Sequence, residues 1–347
     1  MLATNWLYYS PIYHQMPPLS PERNMDCYRL KFTAPFHVDS RGNAFYEESG
    51  SFIHSDTLSS AILATWALIW PEQMSQQAQT PSFRLSSAFP FYRDCSDRYY
   101  YFLPRPFRES VSPPDGWDMK NNKKIKKIQW LDVDQWRAFW TDNNWEYRIN
   151  LKEDIQQGIF ACRNKYLPEK LWLEEERPRL AIDRNDNQAA ESQIFNFSRI
   201  WLDPNGGLYF LAVFDDEASR QQFETALRVL GDSGIGADRT SGNGCFTPSK
   251  GQIPELQLAE HGQAVALSLV NPAPSDCQTG WLEGSAYKLV SRGGWIGGSG
   301  IRKQRVRMFA EGSVFNQPLT GRMIDVSVDH LPHKVFRDGR GFFVKAG

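Results

Sequence analysis

Residues 207–246 read GLYFLAVFDDEASRQQFETALRVLGDSGIGADRTSGNGCF. Gly207–Phe214 is a short apolar run, the length of a buried strand. Asp215 stands where a helix would be capped. Phe223, Ala226, Leu227 and Leu230 then recur at helical spacing as one apolar stripe. A glycine-rich loop from Gly234 to Gly244 follows and leads into Phe246. Upstream, Asp203-Pro204-Asn205-Gly206 is a turn signal that joins Gly207–Phe214 to a strand over Gln193–Leu202, predicting a hairpin. Cys27–Phe32 alternates apolar and polar residues and reads as a strand. After Ser55-Asp56, the spacing of Leu58, Ala61, Ile62, Trp66 and Ile69 predicts a helix that stops at Pro71. The order β-α-(ββ)-α-β is that of a ferredoxin-like unit.

This frame leaves 72–190 as an insertion in a first domain spanning 1–250. Within it, Arg84–Phe107 holds strand-like pieces broken by Pro90, Pro104 and Pro106. Ser110–Trp117 is a Pro-rich loop, and Leu131–Trp145 suits a helix carrying Trp136, Phe139 and Trp140. The polar stretch Ser249–Gly262 reads as a boundary. Val265–Leu269 opens a second β-rich unit, 251–347, that closes with a strand at Gly341–Val344. The expected fold class is α+β.

The chain has 347 residues, 39 Lys and Arg, and 40 Asp and Glu. A hydrophobic fraction of 41% is enough to fill a core, which excludes global disorder. No run approaches the roughly 18 apolar residues of a membrane span, and no secretory signal is visible at the N-terminus. The five cysteines are scattered, with no C-x-x-C, so neither a disulfide framework nor a zinc ribbon is expected and a reducing cytoplasm fits. Aromatics reach 14%, above the needs of a core. Charge is uneven: from Ala286 onward 11 Lys and Arg face 4 Asp and Glu. A near-neutral total does not exclude nucleic acid, because the local field governs binding.

The glycine loop follows a helix and contains no G-K-[ST]. A dinucleotide or Walker loop would follow a strand and open a helix. Glycines let backbone N–H groups approach an anion, and Arg239 adds charge. The loop is therefore either an anion cradle or a plain turn.

In this position the loop resembles the signature of the CRISPR RAMP proteins. Phe52-Ile-His54-Ser55-Asp56-Thr57-Leu58-Ser59-Ser60-Ala61 resembles the first-helix motif of the type III-A Csm RAMP subunit that holds the 5′ end of the guide RNA. Leu85–Phe91 with Tyr101–Pro106 resembles that subunit's next block. Arg292-Gly293-Gly294-Trp295 and Met308–Phe315 resemble its C-terminal blocks. The resemblance spans residues 28–315, with the blocks in the family's order. It implies two ferredoxin-like (RRM-related, RAMP) domains with insertions, no catalysis and no cofactor. It implies three partners: the 5′ handle of the CRISPR RNA (crRNA), the large polymerase-like (Cas10-type) subunit and a backbone RAMP subunit. The excess aromatics, glycine loop and basic C-terminal third match the parts that single-stranded RNA recognition uses.

On this reading the RNA-binding residues are His37, Gly234, Gly236, Arg239, Ser241, Gly242, Gly244, Arg292, Gly293, Trp295, Lys123, Lys124, Arg305 and Arg307. Lys123 and Lys124 belong to a run, Lys120–Lys127, that is either a solvated loop or an RNA-contacting β-hairpin thumb. Lys303, Arg305 and Arg307 alternate, which would give one strand face a phosphate track. Trp295, between glycine pairs, suits stacking or an interface. The rival reading is a metal-independent crRNA-processing endoribonuclease using His37 or His54 as base or acid. Asp39, on the alternative of metal-assisted cleavage, and the pair His330 and His333 are weaker candidates. Pro332 bars helical presentation of that pair, and no metal site is expected.

Overall fold

The computed structural model describes residues 25–39, 46–109, 112–163, 166–182, 189–252, 256–297, 299–329, 331 and 333–346. Its first strand is β1 (Asp26–Phe32), followed by α1 (Ser55–Ile69) and α2 (Met74–Gln77). Next come β2 (Phe83–Leu85), β3 (Phe89–Arg93), β4 (Tyr99–Pro104), α3 (Lys120–Lys127), β5 (Trp130–Asp132), α4 (Val133–Thr141) and α5 (Trp145–Arg148). Short β6 (Ile155–Gln156) and β7 (Phe160–Ala161) precede the long β8 (Trp172–Ile182) and β9 (Ala189–Leu202). The N-terminal unit ends with β10 (Gly206–Phe214), α6 (Glu217–Ser233) and β11 (Phe246–Gly251).

The sheet order β11-β1-β10-β3, all antiparallel, is the ferredoxin-like order. β1, α1, β2 with β3, β10, α6 and β11 thus supply the six elements. The second core strand, Phe83–Arg93, lies inside 72–190. The expected pairing of Gln193–Leu202 with Gly207–Phe214 does not occur. β9 pairs with β8 from Trp172↔Leu202 to Ile182↔Ala189 as a two-stranded arm. The turn itself forms, with Gly206 N–H donating to Asp203 O at 2.8 Å. The physical reason is edge occupancy. All nine residues of β10 are buried, and its two edges are taken by β1 and by β2 and β3, so β9 finds no free edge.

Local details follow side-chain chemistry. Asp216, one residue beyond the expected cap, accepts from Ser219 N–H at 2.7 Å and starts α6. The expected helix at Leu131–Trp145 begins later, because Asp132 ends β5 and caps α4 by accepting from Gln135 N–H at 2.8 Å. The Lys run forms a helix rather than a loop or hairpin. Ile125 is buried and docks α3, while Lys123 and Lys124 are exposed. The hairpin arm is β8–β9.

Both faces of the central sheet are covered. On the helix side, Tyr28, Leu30, Phe210, Phe223, Leu227 and Trp66 form one core. On the other side, Cys27, Phe91, Tyr209 and Leu211 meet Trp130, Trp136 and Phe160 of the segment between β4 and β8. Val265, Leu267 and Phe342 of the C-terminal unit complete that layer. The aromatic excess is therefore largely consumed by packing and does not lie open on the sheet.

In the C-terminal unit β12 (Ala264–Ala266) is flanked by β15 (Val314–Phe315) and β18 (Phe343–Lys345). Two ribbons accompany them: β13 (Leu289–Arg292) with β14 (Val306–Phe309), and β16 (Gly321–Asp325) with β17 (Phe336–Arg340). The helical turn here, among the described residues, is Pro274–Asp276. No described helix is long and apolar enough to cross a membrane. His330 and Pro332 lie outside the described residues.

Gly207 is where the two cores depend on a missing side chain. A Cβ there would run into the Phe91 ring and come within 2.7 Å of Leu30 O. Gly207→Ala is expected to cost about 1–3 kcal/mol of unfolding free energy through overpacking. Gly297→Ala, which meets nothing within 4 Å, should stay within about 0.5 kcal/mol. Denaturant titration of both variants measures the difference.

Candidate nucleic-acid interface

The first turn of α1 is where the two units are bolted together. Asp56 is fully buried. Arg292, at the end of β13, grips it with Nε on Oδ2 and Nη2 on Oδ1, both at 3.0 Å. The same guanidinium donates to Asp39 O and to Thr57 Oγ1, also at 3.0 Å. Arg337 of β17 donates to the same Oδ2 of Asp56 through Nη1 and to Gly293 O through Nη2. Burial opposes ionisation of Asp56, but Arg292 and Arg337 outweigh it and hold the carboxyl well below the usual carboxylate range.

Neighbouring residues of the same turn also reach across. Ser55 Oγ accepts from Leu269 N–H at 2.9 Å. His54 Nδ1 meets Glu311 at 2.8 Å, and Ser87 Oγ donates to the same carboxylate. Ser59 Oγ donates to Asp338, which pairs with Arg340. His54, Ser55, Asp56, Thr57 and Ser59 of the motif at 52–61 therefore bind protein.

Beside this joint lies a cleft of about 840 Å³. Its floor is the small-residue face of α1, Ser60, Ala61 and Ala64. One wall is the loop Ser233–Thr240, the other the turn carrying Gly293, Gly294 and Trp295, with Lys303 and Arg337 behind. Of the residues that sequence reading named, His37, Gly234, Gly236, Arg239, Arg292, Gly293 and Trp295 line it together. Ser241, Gly242 and Gly244 belong to the same loop but do not line the cleft. Lys123 and Lys124 on α3, Arg305 just before β14 and Arg307 within it are not part of it. Arg307 is exposed on β14, and Lys303 of the alternating run faces the cleft instead of sharing a strand face with it.

The loop glycines shape the backbone. Gly234, Gly236, Gly242 and Gly244 all have positive φ, which favours glycine. A Cβ at Gly234 would strike Asn243 O, at Gly236 His37 O, and at Gly244 the backbone of Ile235. Gly242 faces open space. The N–H groups of Ile235, Ala237 and Gly244 donate to Gly244 O, His37 O and Pro35 O, so they hold the loop to the protein. Asp238, in the left-handed region at φ 59°, accepts from Arg179 at 2.9 Å, Ser241 at 3.1 Å and Asn243 at 2.8 Å. Arg199 reaches Asn243 at 3.3 Å. The β8–β9 arm therefore clamps the loop through Arg179 and Arg199. Sequence reading missed both residues, because only the fold carries the arm to the loop.

His37 is buried and its Nδ1–H donates to Ser198 O at 2.7 Å. Burial lowers its pKa, so it is neutral at pH 7. His54 is occupied by Glu311, and the two rings share no partner among the described contacts. Arg292 lines the cleft with its charge already spent on Asp56. Two cations remain. Arg239 is exposed, and Lys303 is half-buried; neither side chain has a partner among the described residues. Burial, together with nearby Arg337 and Arg292, lowers the pKa of Lys303 against the pull of Asp56. A cation in that position favours an incoming anion. Trp295 is 43% exposed, with the Arg302 guanidinium 4.7 Å from its ring centroid. Among the described residues no group of three or more His, Cys, Asp or Glu is arranged to hold a metal.

Residues 259–346 match the family model described as the CRISPR Csm4 C-terminal domain. A protein of Thermococcus onnurineus named "CRISPR system Cms protein Csm4" is 28% identical over 258 residues, 71% of this chain and 75% of that protein. The Mycobacterium tuberculosis protein of the same name is 26% identical over 311 residues, 87% of this chain and 93% of that protein. In fold, the chain is similar to a chain in the Csm3–Csm4 subcomplex of a type III-A interference complex, with TM-score 0.62 and 18% identity, covering 92% of this chain and 98% of that chain. It is also similar to a chain in a Csm1–Csm4 cassette with pppApA, at TM-score 0.54 and 20% identity, covering 92% and 97% of the respective chains.

Asp56→Asn leaves Arg292 and Arg337 buried without a counter-charge and should cost about 3–5 kcal/mol. The sign with pH follows from the depressed folded-state pKa. The stabilisation is present above the unfolded carboxylate value near ~3.9 and is lost as pH falls from there toward the folded value. Thermal unfolding from neutral to acid pH should therefore show a steeper acid branch in the parent than in the variant.

Proposed function

The chain belongs to the Csm4 family of CRISPR RAMP subunits, and on that premise we propose that it holds the 5′ handle of crRNA in the cleft beside Asp56. The observation that carries this reading is the pair Arg239 and Lys303, cations facing one cleft with no acceptor among the described residues. Phosphates of a single strand would satisfy both. Trp295 offers a ring face for a base. Gly242 and the amides around Arg239 offer an open backbone approach. Arg292, Gly234, Gly236 and Gly244 act as positioning residues, since their groups are engaged within the protein. His37 packs against Phe197 and supports the arm that clamps the loop.

The chain is a subunit of the CRISPR Csm complex, and its proposed role is a link between the large polymerase-like (Cas10-type) subunit and the RAMP backbone. The names of the neighbours in fold support this, since relatives there accompany Csm1 and Csm3. The domain reading, 1–250 and 251–347, is kept as a proposal, with the cleft between them. A non-catalytic role in the cytoplasm completes it. Neutral His37, held by a carbonyl, and His54, held by Glu311, are poorly disposed to share acid and base work on one RNA bond.

The experiment is equilibrium binding of labelled handle RNA to the full chain. Arg239→Ala and Lys303→Gln should each lower affinity while leaving the thermal midpoint unchanged. Each should reduce the slope of log affinity against log salt by about 0.7, the value for one phosphate of a single strand. Parent affinity that ignores salt, or variants that bind like the parent, would remove the cleft from the RNA path. The handle-bearing repeat RNA should stay intact on incubation without metal, and cleavage lost in His37→Ala would instead support the nuclease.

Two loop glycines separate shape from contact. Gly244→Val collides with Ile235 and should lower the thermal midpoint together with RNA affinity. Gly242→Ala meets no atom, so its cost is confined to backbone strain of about 1 kcal/mol, and it should bind RNA more nearly like the parent. Equal loss of stability in both would mean that the loop's shape is set elsewhere.

A further inference from the structure

The face of the central sheet opposite α1 and α6 is covered by the segment between β4 and β8 and by the C-terminal unit, but it opens at one corner. Side chains alternate along β1, so Cys27, Arg29 and Lys31 point to that face. Cys27 is buried in the core, Arg29 is half-buried and Lys31 is exposed. Where the cover ends, the face becomes basic. Two adjoining hollows of about 110 and 450 Å³ share Arg29 and Tyr99, and among the described residues no carboxylate lines either one. Arg93, on β3 opposite Tyr99, extends the cationic row. Its carboxylate partner, Asp97 at 3.3 Å, has a side chain 82% exposed, so the pair is weak.

Arg29 is pre-set. Its guanidinium lies 4.0 Å from the Tyr99 ring centroid, and Nη2 donates to Lys250 O at 2.6 Å. Its Nε is buried without a partner among the described residues. Lys31 has no side-chain partner among the described residues. Asn205 and Ser249 add neutral polar groups to the rim. A row of cations of which Lys31 has no acceptor among the described residues and Arg93 only an exposed one, with neutral hydrogen-bonding groups and an aromatic ring beside them, forms the combination that receives a phosphodiester strand.

The corner is close to the cleft. Lys31 pairs with Thr247 in β11, and Thr33 N–H donates to Cys245 O at the end of the glycine loop. At a rise of about 3.3 Å per residue, Lys31 lies roughly 10 Å from Gly244. We propose that the Arg29–Lys31–Arg93 corner is a second phosphate-binding subsite for single-stranded RNA, taking the strand as it leaves the cleft around the end of the sheet. This rests on the reading that the cleft holds RNA.

The test uses the full chain and oligouridylate long enough to span both places. Lys31→Gln with Arg93→Gln should leave the thermal midpoint unchanged and lower the salt slope by about 1.4, two phosphates at about 0.7 each. Its loss of affinity should multiply with that of Arg239→Ala. Ultraviolet cross-linking should join the RNA to Tyr99 in the parent. If Arg239→Ala weakens binding but the double variant keeps the parent's affinity and slope, the corner is not a subsite, while the cleft reading stands. If neither has an effect, both readings fall. If poly-glutamate binding depends on Lys31 and Arg93 and oligouridylate binding does not, the corner receives an acidic protein surface and the RNA proposal is overturned.

Discussion

One buried carboxylate sets the geometry on which the rest depends. Asp56 occupies the first turn of α1, where the helix dipole favours a negative charge, and takes two guanidinium groups from the C-terminal unit. Burying ions is costly unless hydrogen bonds replace water. Arg292 meets this with four contacts, which tie α1 to β13 and to the backbone at Asp39. Lys303 sits beside these two guanidinium groups with no acceptor among the described residues, and burial together with Arg337 and Arg292 lowers its pKa.

The glycine loop works by a different constraint. Its glycines permit positive φ and close backbone contact, so that Gly234 and Gly236 fit against Asn243 O and His37 O. Several of its amides are used inside the protein, and Asp238 ties it to the β8–β9 arm. A clamped loop presents Arg239 with little reorganisation, which is the energetic advantage of a preformed site. The arm thus contributes to the cleft without lining most of it.

Packing explains why aromatic abundance misled as a sign of stacking. β10 is buried along its length, and rings such as Tyr101 and Tyr209, 4.8 Å apart, fill the layer beneath the C-terminal unit. The exposed Trp295 is an exception, placed by the turn between β13 and β14. At the open corner of the sheet near the glycine loop, Arg29 and Lys31 stand beside the Tyr99 ring.

The amino-acid sequence alone determined the local elements and the loop. The alternation at Cys27–Phe32, the stripe from Phe223 to Leu230 and the glycines from Gly234 to Gly244 are short-range patterns, and each corresponds to a strand, helix or turn of the structure. The glycine pattern, together with the family resemblance, named seven residues that line the cleft, including His37 and Trp295, which lie 258 positions apart. Tertiary structure alone decided strand partners and charge pairing. A strand's preference says nothing about which edge is vacant, so β9 joined β8 once β10 was enclosed. A lone arginine in a sequence carries no mark of its partner. Arg292 looks like an RNA contact until Asp56 is brought to it, and Lys303 looks like one more surface cation until the fold buries it beside two others. Both outcomes depend on distance and desolvation, which exist only after the chain has folded.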